Sequence, residues 1–588
     1  MPLLRMDEDP GQLVLHSEGN ICRTTQELVE SPAFARVVEL YLERLAAHAA
    51  PLLADLDVDP SDRGQRARLL DLLRLLAHNP LERIARTFPD SDKLLSQRQG
   101  LHEFAEGLYD FWRSFDRFMV NHSEAGPDSH DHRPYRTFNL TIETLGQLVR
   151  ILYRDIGENI TGSHPRVYRQ VHAGADMGVI AVQRAWRLPE DYRELLEGVP
   201  FVRHLLMYPP FILDPPSNTR AGQFLEVHEN PLAGMSLQKD HWMCYPALVG
   251  RLVVFVYIHQ RFAGLGLALG NLFEMASDEQ IAAGPRAIYL YGAPPEALAR
   301  FGSQPTVFFD DEANGLLVAA VPLEPRFGYF GYLKKMTLTL HNLAVMKQGL
   351  MPFHGALARV VLRNGTAATM LLIGDTATGK SETLEALRLL GEHSIRELRI
   401  IADDMGSIEV ARDGRLLGYG TEIGAFVRLD DLQRGYAFRQ IDRAIIMSPQ
   451  KVNARVVLPV TTLEDVQHGY PVDLMLYANN YQPVDPQHPI IERFDTVDGA
   501  LDVFREGAAM SKGTTSSTGL VKSYFANVFG PAQRPVAHDE IARRTFEAAF
   551  ARQMFVGQMR TQLGIAGYES SGPQEAAAAL LAVMSRSL

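Results

Sequence analysis

The chain has 588 residues, 46% hydrophobic and 22% charged, values of an ordinary globular protein that exclude collagen-like, coiled-coil and disordered classes. With 70 acidic against 58 basic side chains the net charge is −12, and no Lys/Arg block occurs, which excludes nucleic acid and anionic membrane as partners. Two cysteines, Cys22 and Cys244, make no disulfide framework, the acidic N-terminal stretch lacks a signal-peptide core, and no run of about 18 apolar residues exists, so a cytoplasmic protein is expected.

About 150 residues per domain predicts three or four domains. Residues 1–155 are expected as a helical extension. Thr24-Thr-Gln-Glu27 has capping-box spacing ahead of Phe34, Val37, Val38, Leu40, Tyr41 and Leu45, and Leu69 to Leu76 and Phe104 to Met119 continue a helical pattern. The polar stretch Asn121 to Pro134, with His122, His130 and His132, is expected as a loop whose histidines are solvated rather than metal-bound. From about residue 200 short β-branched or aromatic runs alternate with helical stretches. They begin at Arg251, Arg286, Val307, Leu316, Leu357, Met370, Ile400 and Val472, so the class is α/β. A helical tail closes the chain.

The strongest local signal is Met370-Leu-Leu-Ile-Gly374-Asp375-Thr376-Ala377-Thr378-Gly379-Lys380-Ser381-Glu382, an apolar strand running into a G-x-x-x-x-G-K-S loop and a helix. Glycines admit backbone N–H groups to phosphate oxygens, the helix N-terminus adds positive charge, Lys380 reaches the outer phosphates and Ser381 can ligate Mg²⁺. A nucleoside triphosphate site is expected there. Downstream, Glu397-Leu-Arg-Ile-Ile-Ala-Asp403-Asp404 is a strand ending in paired acids, which suit a metal ion and a water or hydroxyl as well as they suit a solvated turn.

Further segments resemble the phosphoenolpyruvate carboxykinases. Tyr329-Phe-Gly-Tyr-Leu-Lys334-Lys335 is similar to that family's Tyr-x-Gly-Glu-Met-Lys-Lys, and His354 in Met351-Pro-Phe-His-Gly-Ala to the histidine of Met-His-Cys-Ser-Ala. In the same order follow the Gly374 loop, Asp403-Asp404, Glu422 to Arg428 (Glu-Gly-Gly-Cys-Tyr-Ala-Lys), Asn453 to Pro459 (Asn-Thr-Arg-Val-x-Tyr-Pro), Gly513 to Gly519 and Phe525 to Gly530. One stretch, His354-Gly with the Gly374 loop and Ala402-Asp403-Asp404, also resembles the HPr kinases, which phosphorylate a protein serine.

The resemblance implies a two-lobed carboxykinase-like P-loop core: a lobe over 156–325, a nucleotide- and metal-binding lobe over 326–560, and the tail over 561–588. It implies ATP with Mg²⁺ on the loop, and a second divalent ion such as Mn²⁺ held by Lys335, His354 and Asp404, with Ser381 and Asp403 as further ligands. Lys335 must then lose its proton, which calls for a pKa below the ordinary value of about 10.4. Lys380, Arg428 and Arg455 would surround the transferred phosphoryl group, and Tyr329 would face the substrate. The implied reaction is the ATP-dependent interconversion of oxaloacetate with phosphoenolpyruvate and CO₂. Alternatives are a kinase on the same scaffold with another small-molecule or protein acceptor, and a nucleotide-binding regulator without turnover. In either, the helical extension would recognise a protein partner.

Several positions depart from the family. Its Gly-Arg-Ser-Pro-Lys-Asp-Lys segment, whose arginine holds the dicarboxylate, has no counterpart. The nearest runs place Ser163 or Met235 there, so the resemblance implies that Arg455 holds one carboxylate and Arg166, Arg169 or another residue the second. Tyr332 replaces a glutamate, and Asp375-Thr-Ala-Thr replaces Leu-Ser-Gly-Thr.

Overall fold

A computed structural model describes residues 5–17, 22–48, 51–86, 95–123, 135–167, 170–391, 394–430, 432, 438–512 and 518–587. The chain divides into two units, residues 1–184 with 200–208 and residues 185–199 with 209–588. The class is mixed α/β. No helix among the described residues is long and apolar enough to cross a membrane.

In the first unit β1 (Arg5–Asp9) and β2 (Gln12–Ser17) form an antiparallel hairpin. Strand β2 pairs in parallel with β3 (Asp116–Ser123), β3 in parallel with β4 (Met177–Val182), and β4 antiparallel with β5 (Phe201–Met207). The longer helices are α1 (Pro32–Ala47), α2 (Arg63–Leu76), α3 (Arg98–Arg113) and α4 (Tyr135–Thr161). Ser31 starts α1, its hydroxyl accepting from Phe34 N at 3.1 Å, and Asp62 caps α2 in the same way. Leu42, Leu73, Leu76, Phe104 and Ile142 bury their apolar faces in one core.

This corrects the expected helical extension. Three strands lie within residues 1–155, and the unit continues through β4 and β5. Strand β2 is buried along its whole length and β3 nearly so; covered strands lack the polar–apolar alternation that would reveal them in sequence. Phe118 and Met119, read as the end of a helix, belong to β3. His122, expected in a loop, is also in β3, with Nε2 3.0 Å from Nδ1 of His16 in β2. His130 and His132 lie outside the described residues.

The second unit begins with β6 (Phe211–Leu213), β7 (Leu225–Val227), β8 (Trp242–Val249), β9 (Leu252–His259), β10 (Ala287–Ala293), β11 (Val307–Asp311) and β12 (Leu316–Pro322). All but β6 form a sheet in the order β8-β9-β10-β12-β11-β7. A second sheet holds β13 (Met351–Leu362), β14 (Ala367–Ile373), β16 (Met405–Val410), β17 (Leu416–Gly420), β21 (Tyr470–Pro471), β22 (Leu474–Asn479), β23 (Ile491–Arg493) and β26 (Phe555–Arg560). Its order is β21-β17-β16-β13-β14-β22-β26-β23, and β15 (Ile395–Ala402) also pairs with β13. Strands β18 (Gly424–Arg428), β19 (Ile445–Met447) and β20 (Arg455–Pro459) complete a third sheet with β6, while β24 (Ala508–Lys512) and β25 (Thr518–Lys522) form a hairpin.

Helix α5 (Phe330–Lys347) is buried on nearly every side, its polar Lys334, Thr337, Thr339, His341 and Asn342 included. Helix α6 (Lys380–Leu390) follows the glycine loop, and α7 (Val497–Glu506) and α8 (Pro535–Ala551) precede β26. The C-terminal helix α9 (Ser571–Ser587) is more than a tail. Its Ala576, Ala577, Leu580 and Met584 share an apolar cluster with Leu384 and Leu387 of α6, so it buttresses the helix that starts at Lys380.

Candidate functional site

Strand β14 ends at Ile373 and α6 starts at Lys380, so residues 374–379 form the loop between strand and helix. Ala377 has φ +63° and Gly379 φ +92°. A Cβ on Gly379 would stand 2.7 Å from the Thr561 side chain, so glycine is required there by both conformation and space. Thr561 donates its hydroxyl to Thr378 O at 2.7 Å, and Asn480, from the end of β22, donates to Ala377 O at 3.0 Å and Met510 O at 2.9 Å. Lys380 folds back, its Nζ donating to Gly374 O at 2.8 Å and Asp375 O at 2.7 Å. Burial pushes its pKa down, against the pull of Asp375 and Asp404. Asp375 takes Thr376 N on its carboxylate, while Ser381 and Glu382 are half-buried in the first turn of α6.

Backbone pairing brings the next group to the loop. His354 in β13 lies opposite Met405 of β16, Gly355 N donates to Asp404 O at 2.9 Å, and Gly374 N donates to His354 O at 3.1 Å. One strand residue is thereby fixed between the glycine loop and the Asp403-Asp404 turn. His354 Nε2 lies 3.0 Å from Asp404 Oδ1, and its Nδ1 lies 2.6 Å from Ala526 O. From α5, Lys335 Nζ and Lys334 Nζ each reach Asp404 Oδ2 at 2.7 Å, and Lys334 also lies 3.1 Å from Glu422 Oε1.

These charges set one another. Burial pushes the Lys335 amine below its ordinary value; Asp404 opposes that shift and Lys334 adds to it. Burial also opposes the Lys334 charge, but Asp404 and Glu422 outweigh it and raise its pKa. Asp404 is held well below the usual carboxylate range by Lys334, Lys335 and His354 despite its burial. Burial pushes Glu422 up to about 7, against Lys334 and with Asp404. Asp403 is half-buried in the same turn.

Two phenylalanines organise the cations around this cluster. Lys335 Nζ stands 4.8 Å from the ring centre of Phe529, Arg220 Cζ 5.2 Å from it, and the His354 ring 6.4 Å from it. Around Phe426 gather Arg455 at 5.4 Å, Lys334 at 5.9 Å and Tyr329 at 6.0 Å. Arg455 Nε is buried without a hydrogen-bond partner among the described residues. Arg428 lies opposite Arg455 across β18 and β20 and pairs with Asp430.

Arg220 was missed by motif reasoning. It sits in the loop between β6 and β7, where Tyr332 Oη accepts from Ala221 N at 2.9 Å and Asn453 donates to Asn218 O at 2.6 Å. Burial lowers its pKa. The signal was Pro215-Pro-Ser-Asn-Thr-Arg220-Ala-Gly, a turn-forming run around one arginine. Arg166, by contrast, belongs to the first unit and is exposed, and Arg169 lies outside the described residues, as do residues 513–517 of the Thr-rich segment.

Among the described residues no group of three His, Cys, Asp and Glu side chains is arranged to hold a metal ion. The set that converges instead is mixed, with one amine, one imidazole and one carboxylate whose donor atoms lie within 3.0 Å of a partner in the set. A lowered lysine pKa and N/O donors fit a divalent ion of the manganese kind. No protein-family model matches the chain, and no curated protein matches it.

Proposed function

We propose that the second unit is an ATP-dependent phosphotransferase of the phosphoenolpyruvate carboxykinase type, a divergent two-lobed P-loop enzyme of the cytoplasm. The meeting of Lys335, His354 and Asp404 beside the Gly374 loop carries this reading. A glycine loop alone would suit many nucleotide-binding proteins; three residues from α5, β13 and the β15–β16 turn, converging next to it, suit few.

In this reading Lys380 would exchange the carbonyls of Gly374 and Asp375 for phosphate oxygens of ATP, and Ser381 and Asp403 would hold Mg²⁺. Lys335, once deprotonated, would hold a second divalent ion with His354 and Asp404, which when bound would supply positive charge beside a developing enolate oxygen. Arg220 and Arg455 hold the two carboxylates of oxaloacetate, Arg220 taking the place that the family's missing arginine left open. As the C–C bond to the departing CO₂ breaks, its electron pair becomes the enolate, whose oxygen takes the γ-phosphoryl group while ADP leaves. Arg428 and Arg455 spread the charge of that transfer.

A second reading rests on the HPr kinase-like loop and turn. There the acceptor is a hydroxyl, and Asp403 or Asp404 would act as general base. The first unit would then recognise a protein partner. Purified protein with ATP, Mg²⁺, Mn²⁺ and oxaloacetate, scored for phosphoenolpyruvate and ADP, separates the two. Phosphoenolpyruvate that disappears in Lys380→Ala supports the carboxykinase reading, and its absence under every metal mixture overturns it.

A further inference from the structure

Strands β14, β22 and β26 run in parallel, and the glycine loop lies at their C-terminal ends. A cleft of 390 Å³ opens at the other end, at the starts of β22 and β26. The six residues of β22 separate the two places by about 20 Å at roughly 3.3 Å per residue. The volume falls in the range of small-molecule sites, about 300–1,000 Å³.

Arg415, Arg493 and Arg552 line the cleft, with Asp473 as the one carboxyl among its lining residues. In a chain of net charge −12 such a surface is a local reversal of sign. More telling is how the guanidiniums are held. Arg493 donates through Nη2 to Gln553 O at 2.9 Å and Met554 O at 3.4 Å, and stands 5.5 Å from the ring centre of Phe555. Arg552 donates through Nη1 to Asp413 O at 3.2 Å. Neither makes an ion pair with a carboxylate among the described residues, whereas Arg415 pairs with Asp413 at 2.6 Å. Carbonyl oxygens orient a guanidinium without neutralising it. Arg493 and Arg552, oriented by carbonyls and free of a carboxylate salt bridge among the described residues, line one cavity in the manner that suits phosphate recognition, although the Asp413 carboxylate, paired with Arg415, offsets part of the Arg552 charge.

Asp473 does not oppose this. Its Oδ2 is already engaged, accepting from Thr369 N at 2.7 Å; burial pushes its pKa up against that hydrogen bond and Arg359.

We infer that this cleft is a second anion-binding site, separate from the glycine loop, that takes a small phosphate-bearing polyanion between Arg493 and Arg552. The site stands whether or not the phosphotransferase reading does, since none of its residues belongs to that machinery. The test is calorimetric titration of the full chain with inorganic pyrophosphate, in wild type, Arg493→Gln/Arg552→Gln and Lys380→Ala. Loss of charge-assisted contacts should weaken binding in the double variant about tenfold or more, with ATP binding unchanged, and Lys380→Ala should retain the affected site. Equal pyrophosphate affinity in wild type and double variant, or binding that Lys380→Ala removes entirely, overturns the inference. Circular dichroism checks folding. Arg552→Gln alone, an exposed side chain with one backbone contact, gives the same answer should the double variant not fold. Citrate forms a parallel arm: a site that takes citrate and refuses pyrophosphate overturns the phosphate assignment.

Discussion

Lys335 Nζ lies 2.7 Å from Asp404 Oδ2, across 69 positions of the chain. The contact exists because α5 is buried on nearly every side and delivers two adjacent lysines to one carboxylate, which in turn is fixed by the pairing of β13 with β16. Removing that carboxylate leaves Lys334 with Glu422 alone in a buried site. Asp404→Asn is expected to cost about 3–5 kcal/mol, measured by urea unfolding. His354→Gln leaves Lys334, Lys335 and Asp404 in place and should spare ATP affinity while weakening Mn²⁺ binding at least tenfold, read by electron paramagnetic resonance. Unchanged Mn²⁺ affinity would count against the ligand assignment.

Arg220 is predicted to set substrate affinity. Under the carboxykinase reading, Arg220→Ala should raise the KM for oxaloacetate about tenfold or more and leave the KM for ATP within about twofold, because one charge-assisted contact to a carboxylate is lost. Tyr332→Phe removes the hydroxyl that receives Ala221 N and should shift the same KM in the same direction by less. Steady-state kinetics with each substrate varied in turn decides; a change confined to ATP would place Arg220 elsewhere in the reaction.

Asn480 carries no charge and touches no phosphate, yet its carboxamide ties Ala377, at φ +63°, to Met510 at the start of the β24–β25 hairpin. Asn480→Ala leaves two carbonyls and one N–H without this partner and frees the loop conformation. ATP binding is expected to weaken about five- to twentyfold at about 1–2 kcal/mol, with the unfolding midpoint less affected than in Asp404→Asn. Calorimetry with ATP checks it, and wild-type affinity in the variant would refute the role.

His538 in α8 is fully buried, with Nδ1 3.2 Å from Tyr524 Oη. Burial lowers its pKa from 6.5 to about 4, against Pro352 O and Asp539. A lowered folded-state pKa means that the unfolded chain takes up the proton first as pH falls. Stability is therefore expected to be intact above pH 6.5 and to decline between 6.5 and about 4, by about 3 kcal/mol for this histidine. His538→Gln should flatten that part of the profile by about one proton, measured by denaturant titrations at pH 7, 6, 5 and 4.5. An unaltered slope would show that another group governs acid unfolding.

Sequence by itself determined what depends on neighbours along the chain. The apolar strand, the Gly374–Ser381 loop and the α6 helix were legible because φ-permissive glycines, a lysine and a helix start must follow one another at fixed spacing. Strands β9 to β15 and β22 were legible as β-branched and aromatic runs between turns, whereas the short strands β16 to β21 between them were not. In the first unit the same reasoning failed, because β2 and β3 are buried strands without alternation, flanked by helices that carry the stronger period. Tertiary structure alone decided which charges meet. Arg220 reaches Phe529 only because Tyr332 and Asn453 hold its loop, and Lys334, Lys335, His354 and Asp404 adjoin only through sheet register and a buried helix. Side-chain convergence depends on long-range pairing of the backbone, and no local period or spacing encodes it.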